Sequence, residues 1–226
     1  MLVQVPHVLD GATLAQMRAR LAEAAWVDGR VTAGHQSARV KENLQLAEDG
    51  ADARALGDIV LRALEHNGLF ISAALPRSVF PPLFNKYEPG SGFGAHVDNA
   101  IREIADTGRR IRTDVSATLF LSAPEDYDSG ELIVEDTYGS HAVKLPAGDM
   151  ILYPATSLHR VAPVTRGQRI ASFFWIQSLV KDDGERTILF ELDRTIAELG
   201  QRAPNDPALV RLTATYHNLV RKWGAP

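Results

Sequence analysis

The sequence predicts a mainly β fold with flanking helices, its centre a sandwich or barrel of the jelly-roll type. Two patterns carry this reading. Between residues 78 and 178, short runs rich in β-branched and aromatic residues alternate with clusters of Pro, Gly and Asp. On either side of that stretch, apolar residues recur at helical spacing. A third observation sets the scale: 226 residues, 45% hydrophobic and 23% charged, suit one well-cored soluble domain with helical additions.

The first region, residues 1–77, reads as a mainly helical region packing on the core. In "TLAQMRARLAEAAW", Leu14, Met17, Leu21 and Ala24 share a helix face, and Asp10 or Thr13 is placed to cap its start. "DARALGDIVLRALEHNG" repeats the pattern with Leu56, Ile59, Val60, Ala63 and Leu64, and Asn67-Gly68 is a C-terminal stop. Residues 78–178 supply the predicted strands "LFNKYEP", "FGAHVD", "TDVSATLFLS", "GELIVED", "HAVKLP", "DMILYP", "HRVAPV" and "RIASFFWIQSL", separated by turns such as "DSG", "PAGD" and "TRGQ". No Rossmann or P-loop glycine pattern is present. Residues 179–226 form a helical extension, with "ERTILFELDRTIAEL" and "PALVRLTATYHNLVRKW" at helical spacing and Pro207 near the first turn of the second helix.

Composition narrows the functions open to such a chain. A net charge of −4 and a pI of about 6.0 give no basic footprint for nucleic acid. The absence of cysteine rules out disulfides, thiolate metal sites and a cysteine nucleophile, and fits a reducing compartment. The N-terminus lacks a basic segment followed by an apolar one, and the apolar runs are too short for a bilayer. The expectation is a soluble cytoplasmic protein without nucleic-acid or membrane partners. The amphipathic faces of the terminal helices fit both covering the core and joining two copies into a homo-oligomer.

Chemistry concentrates in "KYEPGSGFGAHVDNAI". His96 and Asp98 are separated by one residue, so in an extended segment both point the same way. His159, just after the strand "DMILYP", is a third ligand that the far side of a jelly roll brings to the same interior. Two histidines and one carboxylate make the facial triad of non-haem Fe(II) oxygenases, which leaves coordination positions open. Arg169 follows His159 by ten residues and heads an apolar strand. With a period of two, Arg169, Ala171, Phe173 and Trp175 share one face, and Ile170, Ser172, Phe174 and Ile176 the other. An interior arginine needs a counterion, and guanidinium matches a carboxylate in bidentate fashion. Tyr87, nine residues before His96, is placed to donate a further hydrogen bond to that carboxylate.

The order and spacing of His96-Val97-Asp98, His159 and Arg169 resemble the Fe(II)- and 2-oxoglutarate-dependent dioxygenases. "NKYEPGSGFGAHVDNAI", "RTDVSATLFLS", "GELIVEDTYGSHAVKLPAGDMILYPATSLHRVAPVTRGQR" and "RIASFFWIQSLV" resemble the bacterial PKHD-type hydroxylases, relatives of prolyl 4-hydroxylases, over nearly the whole chain. The resemblance implies a double-stranded β-helix (jelly roll) core, with iron held by His96, Asp98 and His159. It implies that Arg169, helped by Tyr87, takes the distal carboxylate of 2-oxoglutarate, and that L-ascorbate keeps the iron reduced. Hydroxylation would release succinate and CO2, and Asp98 stands where halogenating relatives leave room for chloride. The chain departs from many relatives at Ala171, where they carry a hydroxyl residue, so the second anchor falls to Tyr87 or a threonine elsewhere. The substrate is left open between a small molecule and a peptide, with a siderophore-related compound suggested by resemblance alone.

Other readings stand beside this one. A cupin-like metalloenzyme would use the same three ligands without 2-oxoglutarate, but it gives Arg169 no task. A non-catalytic sensor of iron or 2-oxoglutarate needs no half-open coordination sphere. His7, His35, His66, His141 and His217 are read as structural or surface residues, and Phe173 and Trp175 as core. The polar stretch "NAIREIADTGRRIR" is read as a loop beside the metal, with Arg102, Arg109, Arg110 and Arg112 weighed as contacts for an anionic group.

Overall fold

A computed structural model describes residues 1–32, 40–105 and 107–225. The strands in chain order begin with β1 (Val3–Val5), β2 (Trp26–Asp28), β3 (Lys41–Glu42), β4 (Leu44–Leu46), β5 (Pro76–Val79) and β6 (Leu83–Tyr87). They continue with β7 (Gly92–His96), β8 (Ile101–Glu103), β9 (Arg110–Arg112), β10 (Val115–Phe120), β11 (Tyr127–Ser129) and β12 (Leu132–Asp136). The last are β13 (Gly139–Val143), β14 (Met150–Pro154), β15 (His159–Val161), β16 (Val164–Gly167) and β17 (Arg169–Ser178). The helices are α1 (Gly11–Glu23), α2 (Ala51–Glu65), α3 (Gly68–Ala74), α4 (Asp183–Arg202) and α5 (Ala208–Trp223).

Two antiparallel sheets form the jelly-roll core. The larger has eight strands in the order β1-β14-β10-β17-β6-β4-β2, with β5 also on β17; the smaller has five, β13-β12-β15-β7-β3. Strand alternation divides the interior into two layers. On β10, Val115, Ala117 and Leu119 turn outward and pack with Met150, Leu152, Phe174 and Ile176 beneath the helices, against Met17, Leu21, Leu56, Val60 and Phe70. Phe120, Ile151 and Tyr153 turn inward and meet Leu132, Val134, Val143 and Val161 of the smaller sheet. The period of two read along β17 holds: Phe174 and Ile176 belong to the helix side, Phe173 and Trp175 to a separate inner cluster with Phe80 and Leu83.

The helix ends follow local chemistry. Asp10 caps α1 by accepting from the Thr13 N–H at 2.7 Å. Asn67-Gly68 does stop α2, but Asn67 at once starts α3 by accepting from the Phe70 N–H at 2.9 Å. Asp182 caps α4 through the Glu185 N–H. α4 and α5 close over Leu75, Val180 and Leu189 with Leu219, Val220 and Trp223, and the Ala225 N–H returns to the Leu179 carbonyl.

The structure differs from the sequence reading in three places. Residues 1–77 are not simply a helical region packing on the core: β1 extends the larger sheet beside β14, β2 and β4 extend its far edge, and β3 pairs with β7 in the smaller sheet. Their periodicity was hidden because the inward positions Lys41, Asn43 and Gln45 are polar, although all three are buried. The loop after Asp98 carries the hairpin β8–β9, with Arg102 opposite Ile111. The extended segment also ends at His96, so Asp98 lies just beyond β7 rather than in it.

Gly167 holds the turn into β17. Its φ is +73°, and a Cβ there would lie 2.0 Å from the Asp126 carbonyl oxygen, so no side chain fits without moving that backbone. Gly167→Ala is therefore expected to destabilise the protein by about 2 kcal/mol or more in urea unfolding. An unchanged midpoint would show that the turn adapts.

Candidate active site

The topology brings His96, Asp98 and His159 together. His96 ends β7, His159 begins β15, and the two are direct cross-strand partners with ring centroids 4.2 Å apart. Asp98 Oδ2 lies 3.8 Å from His159 Nε2, and the ligating atoms of the three residues all fall within 4.8 Å of one another. His96 Nδ1 is 2.8 Å from the Gly94 carbonyl and His159 Nδ1 is 3.0 Å from that of Ser157. A carbonyl only accepts, so both Nδ1 atoms carry the proton and both Nε2 lone pairs are left for a metal. Ser116 Oγ donates to Asp98 Oδ2 at 2.6 Å, which fixes the carboxylate although no strand does. Phe93 stacks on the His96 ring at 3.6 Å. Gly94 lets Val40 approach β7 closely, because a Cβ on it would lie 2.8 Å from Val40 Cβ.

Burial, and then repulsion from His159, push His96 down to about 4, so it is neutral, the form that binds metal. Two imidazole nitrogens and a carboxylate oxygen, with no thiolate, suit Fe(II).

Arg169 lies on the inward face at the start of β17, opposite Tyr87 of β6. It is 1% exposed, and its Nε and Nη1 have no hydrogen-bond partner among the described residues. Its guanidinium carbon lies 5.3 Å from the ring centres of both Tyr87 and Phe120. The Tyr127 hydroxyl and Asn85 Oδ1 are also buried without partners. Burial raises the Tyr87 hydroxyl above its ordinary range, so it remains a donor. Asn85 Oδ1 is an acceptor, but the Arg169 N–H groups and the Tyr127 hydroxyl are unmet donors that fit an anionic ligand, and two N–H groups of one guanidinium match a carboxylate. Thr118 and Tyr153 line the same cleft. They are the hydroxyl groups available where Ala171 offers none.

The other sequence candidates separate clearly. His141 sits on the exposed face of β13 with Asp136 at 2.9 Å, far from the cluster in role and setting. His66 caps α2, His7 donates its backbone N–H to Asp149, and His217 lies on α5. His35 lies outside the described residues. Of the four arginines weighed in 99–112, Arg102 alone lines the cleft; Arg110 pairs with Glu103 and Arg112 with Asp114. Phe173 and Trp175 are not core alone, since both line the cleft. Sequence reasoning missed Ser116, Tyr127, Tyr153 and Lys41. The alternation Lys41, Asn43, Gln45 against Leu44 and Leu46 was the available signal for the last.

Residues 82–177 match the 2OG-Fe(II) oxygenase superfamily and residues 183–225 the PKHD-type hydroxylase C-terminal domain. A prolyl-4-hydroxylase from Pseudomonas putida shares the fold, with TM-score 0.53, 21% identity and coverage of 78% of this chain and 92% of that one. HygX from Streptomyces hygroscopicus, solved with nickel and 2-oxoglutarate bound, does so at TM-score 0.54 and 14% identity over 78% and 82%. Fold and family define a 2-oxoglutarate- and Fe(II)-dependent oxygenase. A PKHD-type hydroxylase of Beijerinckia indica is 59% identical over 223 residues, 99% of each chain. The chain belongs to the PKHD-type hydroxylases.

The lowered His96 has a consequence for the metal-free protein. The unfolded chain takes up its proton near the ordinary histidine value of 6.5, whereas the folded one resists until about 4. Stability of the apoprotein should thus fall as pH drops from about 6.5 to about 4, and His96→Gln should flatten that slope in pH-dependent thermal melts. A slope that survives the substitution would assign it to other groups.

Proposed function

We propose that His96, Asp98 and His159 hold the iron, and that Arg169, with Tyr87, receives the distal carboxylate of 2-oxoglutarate. The observation that carries this reading is the buried guanidinium: Arg169 Nε and Nη1 have no hydrogen-bond partner among the described residues, in the same cleft that holds the His96, Asp98 and His159 cluster. When bound, Fe(II) and 2-oxoglutarate supply oxidative decarboxylation to succinate and CO2 and deliver one oxygen atom to a C–H bond of the substrate. The protein's part is positional. The Gly94 and Ser157 carbonyls orient the imidazoles, Ser116 orients Asp98, and Phe93 closes one side of the His96 ring. Buried Leu132, Val161 and Tyr153 keep the inner end of the cleft dry.

In this reading L-ascorbate is the accessory reductant and the substrate is a small molecule or a peptide, with neither nucleic acid nor membrane involved. Among the described residues no helix is long and apolar enough to cross a membrane, which together with the lack of cysteine supports a cytoplasmic setting.

The test is an anaerobic titration of apoprotein with Fe(II) and 2-oxoglutarate, following the visible charge-transfer band of the bound pair. The band is expected to vanish in His159→Ala, to need at least about tenfold more 2-oxoglutarate in Arg169→Ala, and to need about tenfold more Fe(II) in Ser116→Ala. Iron binding without a band would contradict the assignment of 2-oxoglutarate to this cleft.

A further inference from the structure

Beside Arg169 the cleft wall carries a second buried polar side chain whose hydrogen bonding is incomplete. β6 and β17 are antiparallel neighbours, with Tyr87 opposite Arg169, Asn85 opposite Ala171 and Leu83 opposite Phe173. Arg169, Tyr87, Asn85 and Phe173 all line the cleft, while Phe84 turns to the helix side. Asn85 is only 7% exposed, and its Oδ1 is sealed from solvent without a hydrogen-bond partner among the described residues. A buried amide left in this state costs stability until a partner completes it.

Its place on the sheet says what it serves. Ala171 contributes only a methyl group, so of this cross-strand pair Asn85 alone brings a polar atom. Asn85 and Arg169 are diagonal neighbours on adjacent strands, about 7–8 Å apart at the backbone and within reach of a long side chain. The Asn85 level lies two residues beyond that of Arg169, roughly 7 Å along the strand. Further along β17, Trp175 is the cross-strand partner of Ser116, which holds Asp98. A diacid that runs from Arg169 toward the metal cluster therefore passes Asn85 first. An amide suits that position because its two ends differ. Its oxygen accepts from a guanidinium N–H, and its nitrogen donates to a carboxylate.

We propose that Asn85 is a cosubstrate-binding residue, its amide nitrogen donating to the distal carboxylate of 2-oxoglutarate beside Arg169. This deepens the 2-oxoglutarate reading and rests on it. It gives the carboxylate a neutral donor from β6 where Ala171 supplies none from β17. A hydrogen bond to a charged acceptor in a site closed to water is stronger than one between neutral groups. The contact reaches the distal carboxylate alone, so Asn85 acts on 2-oxoglutarate and not on the metal or on the chelating end of the acid.

The experiment titrates the anaerobic, Fe(II)-loaded protein with 2-oxoglutarate and, separately, with 2-oxopentanoate. The second acid keeps the chelating end and the carbon chain but carries a methyl group in place of the distal carboxylate. The charge-transfer band reports the dissociation constant of each, and Fe(II) affinity is measured without either. Asn85→Ala should weaken 2-oxoglutarate about tenfold, while leaving 2-oxopentanoate and Fe(II) within about twofold of wild type. Asn85→Leu, which keeps the shape without the amide, should do the same, so the result does not hang on one variant folding. Unchanged 2-oxoglutarate affinity in both variants, or a loss that extends equally to 2-oxopentanoate or to Fe(II), would overturn the proposal while Arg169→Ala still weakens 2-oxoglutarate. A wild-type protein without the band, or an Arg169→Ala protein that binds 2-oxoglutarate as well as wild type, would instead remove the reading beneath it.

Discussion

The interior of this protein is organised around a buried guanidinium whose Nε and Nη1 have no hydrogen-bond partner among the described residues. Arg169 begins the central strand of the larger sheet, which pairs with β10, β6 and β5, and its guanidinium is sealed between Tyr87 and Phe120. Taking an ion out of water costs several kcal/mol, and each aromatic contact returns about 0.5–2 kcal/mol. The contacts among the described residues therefore leave a deficit. A carboxylate paired with the guanidinium would remove it. Moving Arg169 to the surface would shift the register of β17 by one residue and turn Phe174 and Ile176 out of the main core. The placement of the buried guanidinium and the packing of the sheet are thus one constraint.

The same alternation explains how a single strand serves two layers. Phe174 and Ile176 bind the helices to the sheet, while Arg169, Phe173 and Trp175 line the cleft. β10 repeats the division, with Ala117 and Leu119 outward and Ser116 and Thr118 inward. The helical layer can then be stable without touching the chemistry. The cleft can carry polar groups because an ordered apolar layer lies behind it.

How far the sequence foretold this depended on residue type. That His96, Asp98, His159 and Arg169 would meet in one cleft was legible because their order fits a fold whose distant strands come together. The strands of 78–178 were legible from their turns and their β-branched runs. β2, β3 and β4 were not, being two or three residues long with Lys41, Asn43 and Gln45 on the inward side, where an apolar pattern was sought. Phe173 and Trp175 look like core from sequence because packing and cleft lining use the same residues. Ser116 and Tyr127 acquire roles only through neighbours remote in sequence, and a serine in a strand carries no sign of the aspartate it will meet. Asp98 was found for a geometric reason that the structure replaces: Ser116 orients it, not a continuing strand.

The measurement that bears most directly on this account is urea unfolding of wild type and Arg169→Met, with and without saturating 2-oxoglutarate in the Fe(II)-loaded, anaerobic protein. If the buried charge waits for the diacid, Arg169→Met will match or exceed wild type in stability without 2-oxoglutarate. It will also lose most of the stabilisation that 2-oxoglutarate gives to wild type. If Arg169→Met is strongly destabilised without ligand yet gains as much from 2-oxoglutarate as wild type does, Arg169 is a structural residue and the cosubstrate binds elsewhere.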